Sequence, residues 1–190
     1  MPAIITGFET LSKYCEYRKS IQNSSTALCQ PSDKIDCCVY CDALNPSPHG
    51  HYERKPDREN DGENSLNPVI ILRFLCKQCH RTFSALPECL PPRRWYPWET
   101  QEQVLKLAIA GNSINTTNKQ VKPCRDTINR WLSRFETLRC DYKEHWLSWY
   151  NESKLGYVVN TFVEFWQTLL QKNSLAKSMC YLHDRGVAIP

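Results

Sequence analysis

Eleven cysteines punctuate the 190 residues, at positions 15, 29, 37, 38, 41, 76, 79, 89, 124, 140 and 180. Four of them form two Cys-x-x-Cys pairs, Cys38 with Cys41 and Cys76 with Cys79. A turn of that spacing lets two thiolates converge on one ion, and two such turns complete a tetrahedral zinc site with Zn–S bonds of about 2.3 Å. The spacing therefore points to a structural Zn²⁺ held by Cys38, Cys41, Cys76 and Cys79. Cys37 adjoins Cys38 and is an alternative ligand, with a spacing to Cys41 one residue longer. His49, His51 and His80 lie near the pairs and read as surface or strand histidines, because four thiolates already close the site. A redox Cys-x-x-Cys is a poorer fit: it expects one motif at a helix N-terminus, not two motifs flanking strands.

A second group of side chains suits a polyanion. The formal net charge is +4, from 24 basic and 20 acidic residues. Residues 96–140 carry seven basic and four acidic side chains, whereas residues 1–36 and 141–190 are each neutral and 37–95 is +1. Nearly all the excess sits in one stretch, and such asymmetry fits a nucleic-acid partner. Within it, Arg125-Asp126-Thr127-Ile128-Asn129-Arg130-Trp131-Leu132-Ser133-Arg134-Phe135 predicts a helix with two faces. Ile128, Trp131, Leu132 and Phe135 would dock on the rest of the domain, leaving Arg125, Asp126, Asn129, Arg130 and Arg134 available elsewhere. A recognition helix needs that division, with polar and cationic groups offered to a major groove. A solvated three-helix packing unit is the plainer alternative. The second helix weakens the docking, since it carries Thr116, Thr117 and Asn118 where a packing face would be apolar.

Other elements must position these groups. Residues 7–22 have a roughly helical apolar period (Phe8, Leu11, Tyr14, Cys15, Tyr17, Ile21) and predict a helix, followed by a polar loop from Gln22 to Pro31. Thirty-four residues separate Cys41 from Cys76 and read as a hairpin, with strands over Gly50–Lys55 and Val69–Leu75 joined by the polar run Pro56–Ser65. Thr82–Leu86 is a third strand. A module this small, with few large apolar side chains, needs a metal staple. Pro87, Pro91, Pro92 and Pro97 predict an extended connector over 87–98, where a minor-groove arm of Arg93 and Arg94 is weighed against a solvated linker. Beyond it three helices are predicted: Val104–Ala110, capped by Thr100-x-x-Gln103 and stopped by Gly111; Ile114–Val121; and Arg125–Phe135. Further helices are predicted over 142–150, 157–172 and 174–184, the last ending at Gly186. The resulting division is 1–35 (helix and loop), 36–86 (zinc ribbon), 87–98 (linker), 99–139 (helix-turn-helix) and 140–190 (C-terminal helices). The fold class is α+β, a small four-cysteine β-module followed by helices.

The combination of Cys38-Val39-Tyr40-Cys41, Cys76-Lys77-Gln78-Cys79-His80-Arg81-Thr82-Phe83-Ser84 and Thr127-Ile128-Asn129-Arg130-Trp131 resembles the N-terminal DNA-binding region of bacterial insertion-sequence transposases. It also resembles the short transposase-related orphan proteins that share that region. The similarity covers about residues 36–135. In that family the ribbon and helix-turn-helix recognise transposon-end DNA, which implies a recognition helix over Arg125–Arg134 and the four cysteines as zinc ligands. Full-length enzymes of the family draw their chemistry from an acidic triad on a ribonuclease-H-like domain binding two metal ions. Only 50 residues (141–190) follow the helix-turn-helix here, fewer than the usual domain of about 100–150, and they read as helices. Asp141, Glu144, Glu152, Glu164 and Asp184 are scattered acids on amphipathic helices. The resemblance carries over DNA binding and not catalysis.

The expectation is a non-enzymatic, zinc-stabilised protein that binds double-stranded DNA, in transposition or its regulation. Arg125, Asn129, Arg130 and Arg134 would contact bases and phosphates, and Thr127 and Lys122 the backbone. The alternative is an assembly module of a nucleoprotein complex, with a transposition-complex protein as partner. The aromatic C-terminal helices would then serve as a homodimer or assembly surface. A nuclease is the third reading. Mean hydropathy is −0.55 and no apolar run approaches 18 residues, so no membrane span is expected. The first residues lack the basic start and long apolar core of an export signal, so a cytoplasmic location is expected, where thiols stay reduced.

Overall fold

A computed structural model describes residues 2–23, 35–58, 60, 62–141, 145–146, 148 and 161–187. The chain divides into two compact units, Met1–Glu99 and Thr100–Pro190. Most of the loop expected from Gln22 to Pro31 (its first two residues are helical), most of the helix expected over 142–150, and residues Glu144, Glu152, Tyr157, Val158 and Val159 lie outside the described residues.

The first unit is built on a four-stranded sheet. Its strands are β1 (Ala3–Ile5), β2 (Ser47–Arg54), β3 (Val69–Leu75) and β4 (Thr82–Pro87), in the order β1-β4-β3-β2. β2 and β3 are antiparallel, Tyr52 opposite Ile71, with a register shift between Pro48 and His51. β3 and β4 are antiparallel with Phe74 opposite Phe83. β3 forms because Val69-Ile70-Ile71-Leu72 is a β-branched and aliphatic run, and both of its faces are covered. Leu72 and Phe74 pack with Phe83, Ala85 and the cysteines Cys38 and Cys76 on one face. Val69 and Ile71 pack with Leu86, Leu90 and the helix α1 (Leu11–Asn23) on the other, through Leu11, Tyr14 and Cys15. The Tyr14 hydroxyl, on a fully buried ring, donates to the Ile70 carbonyl at 3.0 Å. β2 is the exposed edge, and its Pro48 and adjoining bulge are devices that blunt edge pairing.

Several local expectations are corrected. β1 is a strand that the sequence did not suggest; it lies parallel to β4, Ala3 opposite Ala85. The proline-rich stretch is not an extended connector at its start. Pro87 ends β4, the Glu88 N–H donates to the Ile5 carbonyl, and Cys89 and Leu90 are buried. Burial wins there because Cys89 and Leu90 complete the apolar layer beneath α1. The loop between β2 and β3 is ordered by one buried carboxylate: Asp57 accepts from the N–H of Leu66 (2.7 Å) and of Asn60 (3.2 Å), and its own backbone pairs twice with the Asn67 side chain.

In the second unit the described helices are α2 (Trp98–Ile109, whose first two residues precede the boundary), α3 (Ile114–Gln120), α4 (Arg125–Asp141), α5 (Phe162–Lys172) and α6 (Leu175–Asp184). α2 begins six residues before the expected Val104, so Thr100 is a buried residue inside the helix and not its cap. Trp98 follows Pro97, and a proline favours a helix start because its missing N–H costs nothing there. Gly111, at φ +81°, ends α2. Ser113 caps α3, Thr161 and Glu164 form a reciprocal capping box on α5, and Ser174 caps α6. The core is aromatic: Phe135 meets Trp166 edge-on at 5.2 Å between centroids, and Trp146 meets Trp166 at 6.4 Å. Trp146, Phe165 and Trp166 are thus consumed by packing. Glu102 of α2 accepts from the Leu175 N–H at 2.7 Å, placing a carboxylate at the N-terminus of α6.

Candidate metal centre and cationic helix

The two cysteine turns are built alike, and their local hydrogen bonds explain why. In the first, the Asp42 N–H donates to the Cys38 carbonyl (2.9 Å) and the Cys38 N–H to the Ala43 carbonyl (2.9 Å). In the second, the His80 N–H donates to the Cys76 carbonyl (3.0 Å) and the Cys76 N–H to the Arg81 carbonyl (3.0 Å). Both turns close on a residue in the left-handed region, Asp42 and His80 each at φ +56°. Asp and His tolerate that region better than most side chains, which is what the position after the second cysteine demands. The sequence reading assigns no role to Asp42 and takes His80 only as a surface or strand histidine. Their position, one place beyond each Cys-x-x-Cys, is the signal that could have found them.

The four sulfurs converge, all lying within 4.8 Å of one another. Cys38 and Cys79 Sγ are 3.7 Å apart, and Cys41 and Cys76 Sγ 3.6 Å. A disulfide needs about 2.05 Å. A tetrahedral ion with bonds of about 2.3 Å sets its sulfurs about 3.8 Å apart. The geometry fits a metal ion between crossed pairs and not a disulfide. Backbone N–H groups aim at the first cysteine of each turn, Tyr40 N–H at Cys38 Sγ (3.4 Å) and Cys79 N–H at Cys76 Sγ (3.5 Å). The N–H groups of Cys79 and Gln78 bring the Cys76 thiol down to about 7. For Cys41 the Ala43 N–H pulls the same way, but burial and the three neighbouring thiols outweigh it and push Cys41 up to about 12. Four negative sulfurs cannot share this space without a cation, and a divalent ion resolves the conflict by coordinating all four as thiolates. Cys37 is exposed and outside the cluster, because its backbone bridges to Leu44 and alternation turns its side chain away. His49, His51 and His80 are exposed and are not part of it.

The residues expected to meet DNA lie on and before α4. Ile128, Trp131, Phe135 and Leu138 are its buried residues, whereas Arg125, Asp126, Asn129, Arg130 and Ser133 are exposed on the opposite side. Arg134 is half-buried at the border of that face, and Lys122 is exposed in the turn between α3 and α4. That turn is firmly set. The Val121 N–H donates to the Thr117 carbonyl (3.1 Å), the Asn118 side chain to the Pro123 carbonyl (3.0 Å), and the Ile128 N–H to the Cys124 carbonyl (3.0 Å). The polar residues of α3 are therefore structural: Thr117 is buried and Asn118 ties the turn. Thr127 is half-buried, its hydroxyl receiving Arg130 at 3.0 Å and pairing with the Cys124 thiol at 3.3 Å. Arg125 reaches the Asn115 side-chain oxygen of α3 at 3.3 Å. Asp141, Glu164 and Asp184 are exposed and spread over three helices. No helix among the described residues is long and apolar enough to cross a membrane.

Comparison with curated proteins and with solved structures returns no match. Residues 38–131, which is 94 of the 190, match the model of a family described as a domain of unknown function (DUF6431). The matched stretch opens on the first clustered cysteine and closes at Trp131 in α4, so this chain is similar to that family over the whole metal centre, the β-sheet strands that carry it, and the first two turns of the cationic helix.

Proposed function

We propose that this chain is a zinc-stabilised, sequence-specific DNA-binding protein of the transposase-related kind, acting in transposon-end recognition or its regulation through binding alone. The four-thiolate centre is the structural zinc site. An all-sulfur tetrahedral set with every position filled by protein favours Zn²⁺ and leaves no coordination place for a substrate. α4 is the recognition helix, with Arg125, Asn129 and Arg130 reaching base edges and phosphates. Arg134 and Lys122 flank them, and Thr127 holds Arg130 in line.

The carrying observation is the division of α4, with apolar residues buried on one side and Arg125, Asn129 and Arg130 exposed together on the other, behind a tight turn from α3. Arginine and asparagine are the side chains that read guanine and adenine in a major groove. Duplex binding by the zinc-loaded chain should weaken with salt, with a slope in log–log form of about −0.9 for each phosphate neutralised. Arg125→Ala and Arg130→Ala should each cost about 1–3 kcal/mol of duplex affinity while leaving the helical content unchanged. Unaltered affinity in both variants would remove α4 from the role.

A further inference from the structure

A cavity of about 800 Å³ opens on the first unit, between the edge of the sheet, the first cysteine turn and the loop after β4. Three of its lining residues are exposed aromatics: Tyr40 (41% exposed), Tyr52 (37%) and Trp95 (67%). Leu44 and Val163 are the other exposed large apolar side chains among the described residues, so most of this class gathers in one depression. Isolated exposed aromatics are ordinary, but a cluster around a cavity marks a binding surface. Four cations, Arg54, Lys55, Arg93 and Arg94, line the same space against a single acid, Glu53.

One of these cations is held in place and sets the loop that carries two of the others. Arg54 spends its guanidinium on the backbone of the loop, donating to the Pro91 carbonyl at 3.4 Å and to the Arg94 carbonyl. It thereby fixes the segment that presents Arg93, Arg94 and Trp95. Arg93 sits at φ +56°, a strained conformation for a long side chain and one that turns the loop back. The Nε of Arg94 is buried and has no hydrogen-bond partner among the described residues. Trp95 lies against the Arg58 guanidinium, 4.5 Å from the ring centroid, and Tyr40 against Arg81 at 5.2 Å. Ring faces backed by guanidinium groups are pre-ordered at little further entropic cost.

From this arrangement we infer that the cavity is a binding site for single-stranded nucleic acid, whose unpaired bases stack on Trp95, Tyr52 and Tyr40 and whose phosphates meet Lys55, Arg93 and Arg94. Stacking platforms set in a cationic groove are how proteins hold unpaired strands, because every base offers a π-face and every linkage a negative charge. An acidic peptide would satisfy the cations and leave the aromatic faces unused. The site is distinct from α4 and does not depend on the duplex-binding role given to that helix.

The test uses the full zinc-loaded chain and fluorescence anisotropy with a labelled oligothymidylate of about 12 nucleotides, within the span that compact single-strand sites cover. Trp95→Ala and Tyr52→Ala should each weaken binding by about 5- to 150-fold, the effect of losing one stacked base. Trp95→Phe, which keeps a ring, should stay within a few-fold of the parent. Trp95 is largely exposed, so its removal leaves the core intact, and unchanged metal content verifies this. Arg125→Ala with Arg130→Ala should lower duplex affinity and leave oligothymidylate binding alone, so failure of either site is read separately. The inference is overturned if the Trp95→Ala and Tyr52→Ala variants bind the strand as the parent does. It is equally overturned if an abasic oligomer of the same length, or polyglutamate, binds as tightly as oligothymidylate.

Discussion

The two units of this chain solve the problem of a small core in opposite ways. In the first unit one of the two apolar layers is closed by Cys38 and Cys76, with Cys41 and Cys79 packed beside them. The sulfurs are thus part of the core as well as the centre, and the layer holds only small and medium side chains around Phe74 and Phe83. In the second unit Trp131, Phe135, Trp146, Phe165 and Trp166 fill the interior with rings. The difference teaches where each unit can store its stability: the sheet in a four-cysteine cluster able to hold a metal beside one aliphatic layer, the helices in aromatic burial. That contrast can be broken experimentally.

The largest effect should come from emptying the proposed zinc centre. Structural zinc supplies about 10–16 kcal/mol of apparent binding energy in small peptides, as much as or more than the whole stability of about 5–15 kcal/mol of a typical domain. Strong chelator, or Cys79→Ser, should therefore abolish amide protection in β3 and β4 while α4 to α6 keep theirs; hydrogen exchange by mass spectrometry reads both at once. Metal loading should also fall as pH is lowered, since each ligand must be a thiolate and protons compete for it. Cys37→Ser should change neither metal content nor protection. Persistence of the sheet without metal would erase the contrast drawn above. Next in size is Trp166→Ala, which should cost the second unit about 3–5 kcal/mol by the cavity it opens. Native mass spectrometry should find the metal still bound.

How much of this was legible beforehand follows the range of the interactions. The cysteine turns and α4 could be read because their signals are local: two residues between ligands, and three or four between apolar positions. β3 could be read from its β-branched run. β1 could not, because three residues become a strand only by pairing with β4 some eighty positions away, Ala3 opposite Ala85. Residues 88–90 misled for a related reason: the prolines speak for extension, but Cys89 and Leu90 have a distant helix to pack under. Thr117 and Asn118 looked like a failed apolar face, yet they are the residues that bury and tie the turn. The aromatic cavity was invisible for the strongest version of the same cause, since its walls come from well-separated stretches of chain.

A smaller effect separates the units at the level of polar groups. Asp57 is buried in the first unit and accepts the Leu66 and Asn60 N–H groups, which would be left unpaired in Asp57→Ala. Losing such acceptors costs about 1–3 kcal/mol. Asp57→Asn retains an acceptor oxygen and should recover part of that loss in chemical denaturation.

The smallest prediction concerns α5, where the cap can be tested with the core untouched. Thr161 Oγ1 accepts from the Glu164 N–H at 3.2 Å, and Glu164 Oε2 accepts from the Thr161 N–H at 3.4 Å and its hydroxyl at 2.9 Å. These groups are exposed, so replacing Thr161 opens no cavity, while Phe165, Trp166 and Leu169 still anchor the helix from its buried side. Thr161→Ala should then cost about 1 kcal/mol, the worth of one N-cap, and Thr161→Ser almost nothing. Glu164→Gln keeps the reciprocal bond and forfeits only the carboxylate beside the helix N-terminus, about 0.3–1 kcal/mol. Thermal melting should rank the losses with Thr161→Ala largest, Glu164→Gln next and Thr161→Ser smallest. If Thr161→Ala cost as much as Trp166→Ala, the helical unit would owe its stability to its termini rather than to its rings, and packing could no longer be the feature that sets it apart from the sheet.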